Sequence, residues 1–219
     1  MKNPIDGGQI KRELSPEEKR IAESFKTIPF MMEIDRADLI LTWRQFKSAT
    51  ILLLKINNIK SDLPRVKKVI KDAGMLFNEG GLVEPGGYDS PFWACFIGNN
   101  QEDFEMIPKI WLDHKSGDLN ATSEMGRMSG YPPTAVDAFI NWQIAIEEGN
   151  GDQAKAMYLL TKYERENLIP QDLSRFALFQ LSREDWKKEL ETVRKWAEEI
   201  KLVDPEFYER IKRGDPMDR

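Results

Sequence analysis

The chain has a single cysteine, Cys95, and a single histidine, His114, in 219 residues. One cysteine excludes an intramolecular disulfide and fits a reducing cytoplasm. One cysteine and one histidine are too few for a His/Cys zinc site within the chain, so no metal and no cofactor is expected. Long apolar runs are missing as well. A run such as Ile51 to Leu54 is far short of the roughly 20 residues that span a bilayer. Met1 to Leu14 is polar and charged, without the apolar centre of a signal peptide. A soluble, cytoplasmic protein with no membrane partner is therefore expected. Positive charge is not in excess: 32 Lys and Arg face 37 Asp and Glu, a net charge of −5. That argues against a nucleic-acid partner, which usually needs a basic face. The densest basic run is Lys60, Arg65, Lys67, Lys68 and Lys71. It reads as a solvated helix face with Val66, Val69 and Ile70 turned inward. RNA binding would require Arg44, Lys47, Lys60, Arg65 and Lys68 to gather on one side. Neither common nucleotide-binding glycine loop occurs.

What is present is the composition of a globular protein, with 41% hydrophobic residues. Ser15-Pro16-Glu17-Glu18 reads as a capped helix start running to about Thr27. Asp35 is placed to cap a helix carrying Leu39, Ile40, Trp43 and Phe46. Thr50 to Ile56 and Phe92 to Ile97 read as buried strands. Between them, Asp62 and Pro64 open a helix that Gly74 closes. Gly80-Gly81, Pro85-Gly86-Gly87 and Asp89-Ser90-Pro91 punctuate short apolar pieces. Beyond Asn100 the chain reads as helices at about 101–115, 119–128, 133–148, 151–164, 171–179, 183–201 and 205–212. Trp186, Leu190, Val193, Ala197 and Ile200 form one apolar stripe. The fold expected is α+β: a small N-terminal sheet with helices, followed by a mostly helical C-terminal half. The divisions expected are a flexible tail over 1–14, an α/β part over 15–100, a helical part over 101–213 sharing the core, and a frayed tail over 214–219.

Obvious catalytic sets are absent. A Cys95–His114 pair is arithmetically possible. However, Cys95 lies among Phe92, Trp93, Phe96 and Ile97, where thiols are usually inert. His114, at a helix end between Asp113 and Lys115, is expected to face solvent or to favour the helix C-terminus when charged. Carboxylates mostly fall in surface-helix and capping patterns. The segment left is Gly130-Tyr131-Pro132-Pro133. Gly130 can take positive φ and end one helix, Pro132 forces Tyr131 out of helical geometry, and Pro133 pre-sets the next helix. A helix start of this kind can hold an anion. Arg127, Gly130, Tyr131 and Thr134 are therefore the candidate ligand-binding residues. A purely conformational elbow, with Val136, Phe139, Ile140 and Trp142 serving the core, is the competing reading.

The stretch from Cys95 to Phe139 resembles a family of uncharacterised prokaryotic proteins. Its pattern has a strand ending in a glycine turn, a helix, and a Leu-Gly-Tyr-Pro-x-Cys-Cys-Val-x-Ala-Phe type motif. Phe96-Ile97-Gly98-Asn99 is similar to the strand end, Met125 to Pro132 to the helix and corner, and Val136, Ala138 and Phe139 to the helix that follows. Leu181 to Asp185, and later Asp204-Pro205-Glu206-Phe207-Tyr208, resemble its continuation. The pattern's adjacent cysteines fall on Thr134 and Ala135, and its later ones on Leu181 and neighbours. Any thiol chemistry the resemblance implies is therefore lost here, while the scaffold is kept. Two functions are open. One is a non-catalytic binding or interaction module, which six tryptophans could serve as anchors. The other is an enzyme or small-anion binder built on the helix after the corner, with an unknown protein or a small anionic ligand as partner.

Overall fold

The computed structural model describes residues 13–30, 32–55, 58–83, 92–149 and 157–214. The first helix, α1 (Pro16–Phe25), starts as its sequence predicts. The Ser15 hydroxyl accepts from the Glu18 N–H while the Glu18 carboxylate accepts from the Ser15 N–H. The start of α2 (Glu33–Trp43) differs from expectation, because Asp35 lies inside its first turn and not ahead of it. From there its carboxylate accepts the Met32 N–H at 3.0 Å and the Leu53 N–H at 3.1 Å, fastening helix to strand. Burial pushes the Asp35 carboxyl up to about 7, although both N–H bonds act in the other direction.

Three strands form one antiparallel sheet: β1 (Ala49–Leu54), β2 (Leu76–Val83) and β3 (Phe92–Gly98), in the order β1-β3-β2. Leu52 stands opposite Cys95 and Thr50 opposite Ile97. Gly80-Gly81 does not punctuate the chain. It lies within β2, where the register shifts between Glu79 and Gly81 in a bulge that absorbs the extra residue. Helix α3 (Ile59–Asp72) begins a turn earlier than expected, capped by Asn58, with Pro64 inside it.

Strand alternation gives the sheet two apolar faces. Leu52, Leu54, Cys95 and Ile97 belong to the larger core, while Ala49 and Phe96 join a smaller one with Ile107, Ile110, Ala121 and Met128. These last four residues come from α4 (Gln101–Lys115) and α5 (Leu119–Met128), capped by Asn100 and Asp118. Helix α6 (Pro133–Glu147) follows the corner.

The helix expected over 151–164 is not continuous. Residues 151–156 lie outside those described. Leu159 pairs with Ser182 in an isolated antiparallel bridge, and Thr161 caps a new helix, α7 (Lys162–Leu168). Then come α8 (Gln171–Ser174), shorter than expected, α9 (Trp186–Val203) and α10 (Pro205–Arg213). The α9 stripe is confirmed, with Leu190, Val193, Ala197 and Ile200 buried. The larger core joins Leu39 and Ile97 to Phe176, Val193, Trp196 and Phe207, so both halves of the chain contribute to it. The architecture is α+β, with the sheet in the N-terminal half. Of the tails expected over 1–14 and 214–219, residues 1–12 and 215–219 lie outside the described residues, as do Ile56, Asn57 and residues 84–91. Leu14, expected in the flexible tail, is instead buried in the larger core. Among those described, no helix is long and apolar enough to cross a membrane.

Candidate functional site

At the Gly130-Tyr131-Pro132-Pro133 corner, two glycines let the chain fold back closely. Gly130 has φ +66°, and a Cβ there would stand 2.0 Å from the Phe46 carbonyl oxygen. A Cβ on Gly126 would stand 2.7 Å from Val136. Only hydrogen fits at either place, so α5 lies directly against α6 and the corner lies against the loop after α2. The Tyr131 N–H donates back to the Gly126 carbonyl at 3.0 Å, closing α5.

The Tyr131 ring is thereby set among Phe179 and Trp196, at centroid distances of 5.3 and 6.1 Å. Behind it lies Lys47, which is fully buried. Its ammonium is 2.6 Å from Asp38 and 5.3 and 5.1 Å from the centres of the Tyr131 and Trp196 rings. Burial opposes the Lys47 charge most strongly of any single influence, but Asp38 and Tyr131 together outweigh it, and the ammonium is held above the ordinary lysine pKa. Burial raises the Tyr131 hydroxyl above an ordinary phenol, while the Lys47 charge acts in the opposite direction. Arg44 is buried too, bridging Glu18 and Glu199 at 2.9 Å each. With Arg44 and Lys47 tied into the interior, the basic face that RNA binding would require does not assemble. On α3, Arg65, Lys67 and Lys68 face Asp62, Glu79 and Asp72.

The other corner candidates diverge from Tyr131. Arg127 turns to Asp103 and Glu124, at 2.6 and 2.8 Å. Asp103 and then Glu124 hold its guanidinium firmly charged, and in return Arg127 lowers the Asp103 pKa. The Thr134 hydroxyl donates to the buried Glu189 at 2.7 Å, whose second oxygen accepts the Ser182 N–H at 2.8 Å. Thr134 thus ties α6 to α9, and its neighbour Ala135 is buried. At the start of α6, the N–H groups of Ala135 and Val136 both point at the Pro132 carbonyl.

Tyr131 does line a cavity of about 550 Å³, within the range of about 300–1,000 Å³ usual for small-molecule sites. Met125, Gly126, Val136 and Phe139 form one side. Ile34 and Ala37 of α2, Ala177 to Gln180, and Ile211 of α10 complete the wall. Arg127 and Thr134 are not among the lining residues.

His114 is, and it does not simply face solvent. Its Nδ1 lies 2.9 Å from the Thr122 hydroxyl, which donates its one proton to the Asp118 carbonyl at 3.0 Å. Nδ1 and the Thr122 hydroxyl thus share a hydrogen bond that orients the ring. Cys95 lies buried in the sheet, where burial pushes its thiol up to about 12. Among the described residues no group of three His, Cys, Asp or Glu side chains is arranged to hold a metal ion.

Two lining residues not singled out from sequence are Arg165 and Arg175. Arg165 is half-buried, and among the described residues its guanidinium donates only to the neutral Gln180 side chain, at 3.3 Å. Burial lowers its pKa. Arg175 donates to the Lys212 and Ile211 carbonyl oxygens at the end of α10, at 2.6 and 3.4 Å. Nearby carboxylates are engaged elsewhere: Glu33 with Arg210, Glu164 with Arg183 and Glu166 with Lys162.

No protein-family model, no curated protein and no solved structure matches this chain.

Proposed function

We propose that this protein is a non-catalytic binding module that takes a small, largely apolar ligand into the cavity beside Tyr131. One observation carries the reading. The closely packed corner, α2 and the Ala177–Gln180 segment leave a ligand-sized space between them, mostly walled by Met125, Val136, Phe139, Leu178, Phe179 and Ile211. The space, about 550 Å³, has the size of a small-molecule site and a mainly apolar wall, as such sites do. This support comes from the cavity walls and not from the helix start after the corner, whose Ala135 and Val136 N–H groups already share the Pro132 carbonyl.

Octan-1-ol, a neutral apolar probe, tests the reading by calorimetry and thermal shift. It should bind the wild type and raise its melting temperature with concentration. Ala177→Trp, which puts an indole into the half-buried wall, should weaken binding about tenfold, a loss of about 1.4 kcal/mol. Equal binding to both proteins, or none to the wild type, would sink the proposal.

The place of His114 in the cavity wall favours a second reading, an enzyme in which its imidazole accepts a proton from a substrate or water in the same cavity. Hydrolysis of p-nitrophenyl octanoate by the wild type, lost in His114→Gln, would select it. Equal rates would remove it.

A further inference from the structure

The geometry points to an amphiphile with a carboxylate-type oxyanion end as the occupant of this cavity, its apolar body beside Tyr131 and its charged end at Arg165, Arg175 and Gln180. The inference rests on the cavity reading and adds the chemistry of the ligand.

Three observations lead to it. First, Arg165, Arg175 and Gln180 line two spaces at once: the apolar cavity, and a polar cleft of about 420 Å³ shared with Lys162, Glu166 and Ser174. They mark the boundary where an apolar interior gives way to a polar opening, which is where the head of an amphiphile would lie.

Second, the two guanidiniums there have no carboxylate partner among the described residues, in a chain with five more acidic than basic residues. Arg165 has only the Gln180 amide oxygen, and Arg175 has only backbone carbonyls. Elsewhere the arginines of the interior are matched, Arg44 by two glutamates and Arg36 by Asp204, and even the half-exposed Arg127 has Asp103 and Glu124. Glu33 also lines the cavity, but it is paired with Arg210 at 2.6 Å.

Third, the Arg165 charge is disfavoured where it stands, since burial acts on it with no anion in compensation. An arriving oxyanion would supply that compensation through charge-assisted hydrogen bonds. The planar guanidinium fork fits a carboxylate in two-point fashion. The Gln180 amide N–H₂, whose oxygen faces Arg165, is a further donor.

Three probes of equal chain length test this on the full protein: octan-1-ol, octanoate and octylamine. The wild type should bind octanoate about tenfold more tightly than octan-1-ol, and octylamine more weakly than either. Raising the salt concentration should narrow the octanoate advantage. Arg165→Gln should bind octan-1-ol as the wild type does and lose the preference for octanoate. This variant leaves the helix-end contacts of Arg175 intact, and its unliganded melting curve shows whether it folds. Octanoate binding no tighter than octan-1-ol, or a preference unchanged in both Arg165→Gln and Arg175→Gln, overturns the oxyanion assignment and leaves the cavity reading standing. Failure of all three probes overturns the cavity reading, and this one with it.

Discussion

Arg127 and Arg165 both project from short helices next to the same cavity, and they lead opposite lives. Arg127 belongs to the corner, where every feature has an internal counterpart. Its guanidinium meets Asp103, Thr134 meets Glu189, Lys47 meets Asp38, and Gly130 fits under the Phe46 carbonyl. Arg165 belongs to the 162–180 segment, where a half-buried cation has a neutral amide for company and a second arginine holds only carbonyl oxygens. The corner is a joint, whose polar groups are used up in holding the fold. The 162–180 segment keeps unspent hydrogen-bonding capacity, and that makes it the better place to look for recognition.

The largest expected effect would break the corner itself. Gly130→Val combines a positive φ with a side chain directed at the Phe46 carbonyl, and should cost at least about 4 kcal/mol in urea unfolding. A loss under about 1 kcal/mol would mean the joint is far looser than drawn. Next comes Lys47→Met, which leaves Asp38 without its partner in a mostly buried place and should cost about 3 kcal/mol. Adding Asp38→Leu should recover much of that loss, because an apolar pair can replace a buried ion pair. The smallest effect is the sharpest test of the contrast. Arg127→Gln should lower stability by about 1 kcal/mol, a modest figure because the guanidinium is half exposed and screened by water. It should also leave the octanoate preference unchanged. Arg165→Gln should alter stability by no more than about 0.5 kcal/mol and abolish that preference. If the two arginines exchanged these behaviours, the division between joint and binding segment would be wrong.

Local signals made part of this legible in the sequence. The Ser15–Glu18 box, the helices from Gln101 to Met128, the two apolar strands and the α9 stripe each depend on residues a few positions apart. The bend in the chain at Gly130-Tyr131 was readable for the same reason. Other features depend on distant partners. Strand β2 runs through Gly80-Gly81 because β3 pairs with it on both sides of the bulge. The helix expected over 151–164 is broken where Leu159 pairs with Ser182, a contact no local pattern announces. Tyr131 was the one corner candidate that lines the cavity. Arg127 and Thr134 stand within four positions of it in sequence, but their side chains leave in other directions. Arg165 sits in Lys162-Tyr163-Glu164-Arg165-Glu166, which reads as a helix laced with charge pairs. Only the structure shows that Glu164 goes to Arg183 and Glu166 to Lys162, leaving the arginine between them unmatched.

Arg175 also holds the end of the last helix, through the Ile211 and Lys212 carbonyls, and Ile211 in turn lines the cavity. An anion seated on this guanidinium and the fraying of that helix therefore become terms of one thermodynamic cycle. Whatever occupancy does to the helix end, tightening the helix end does to occupancy by the same factor. The amide protons of the final turn of α10 would then report, by their exchange rates, on events inside the cavity.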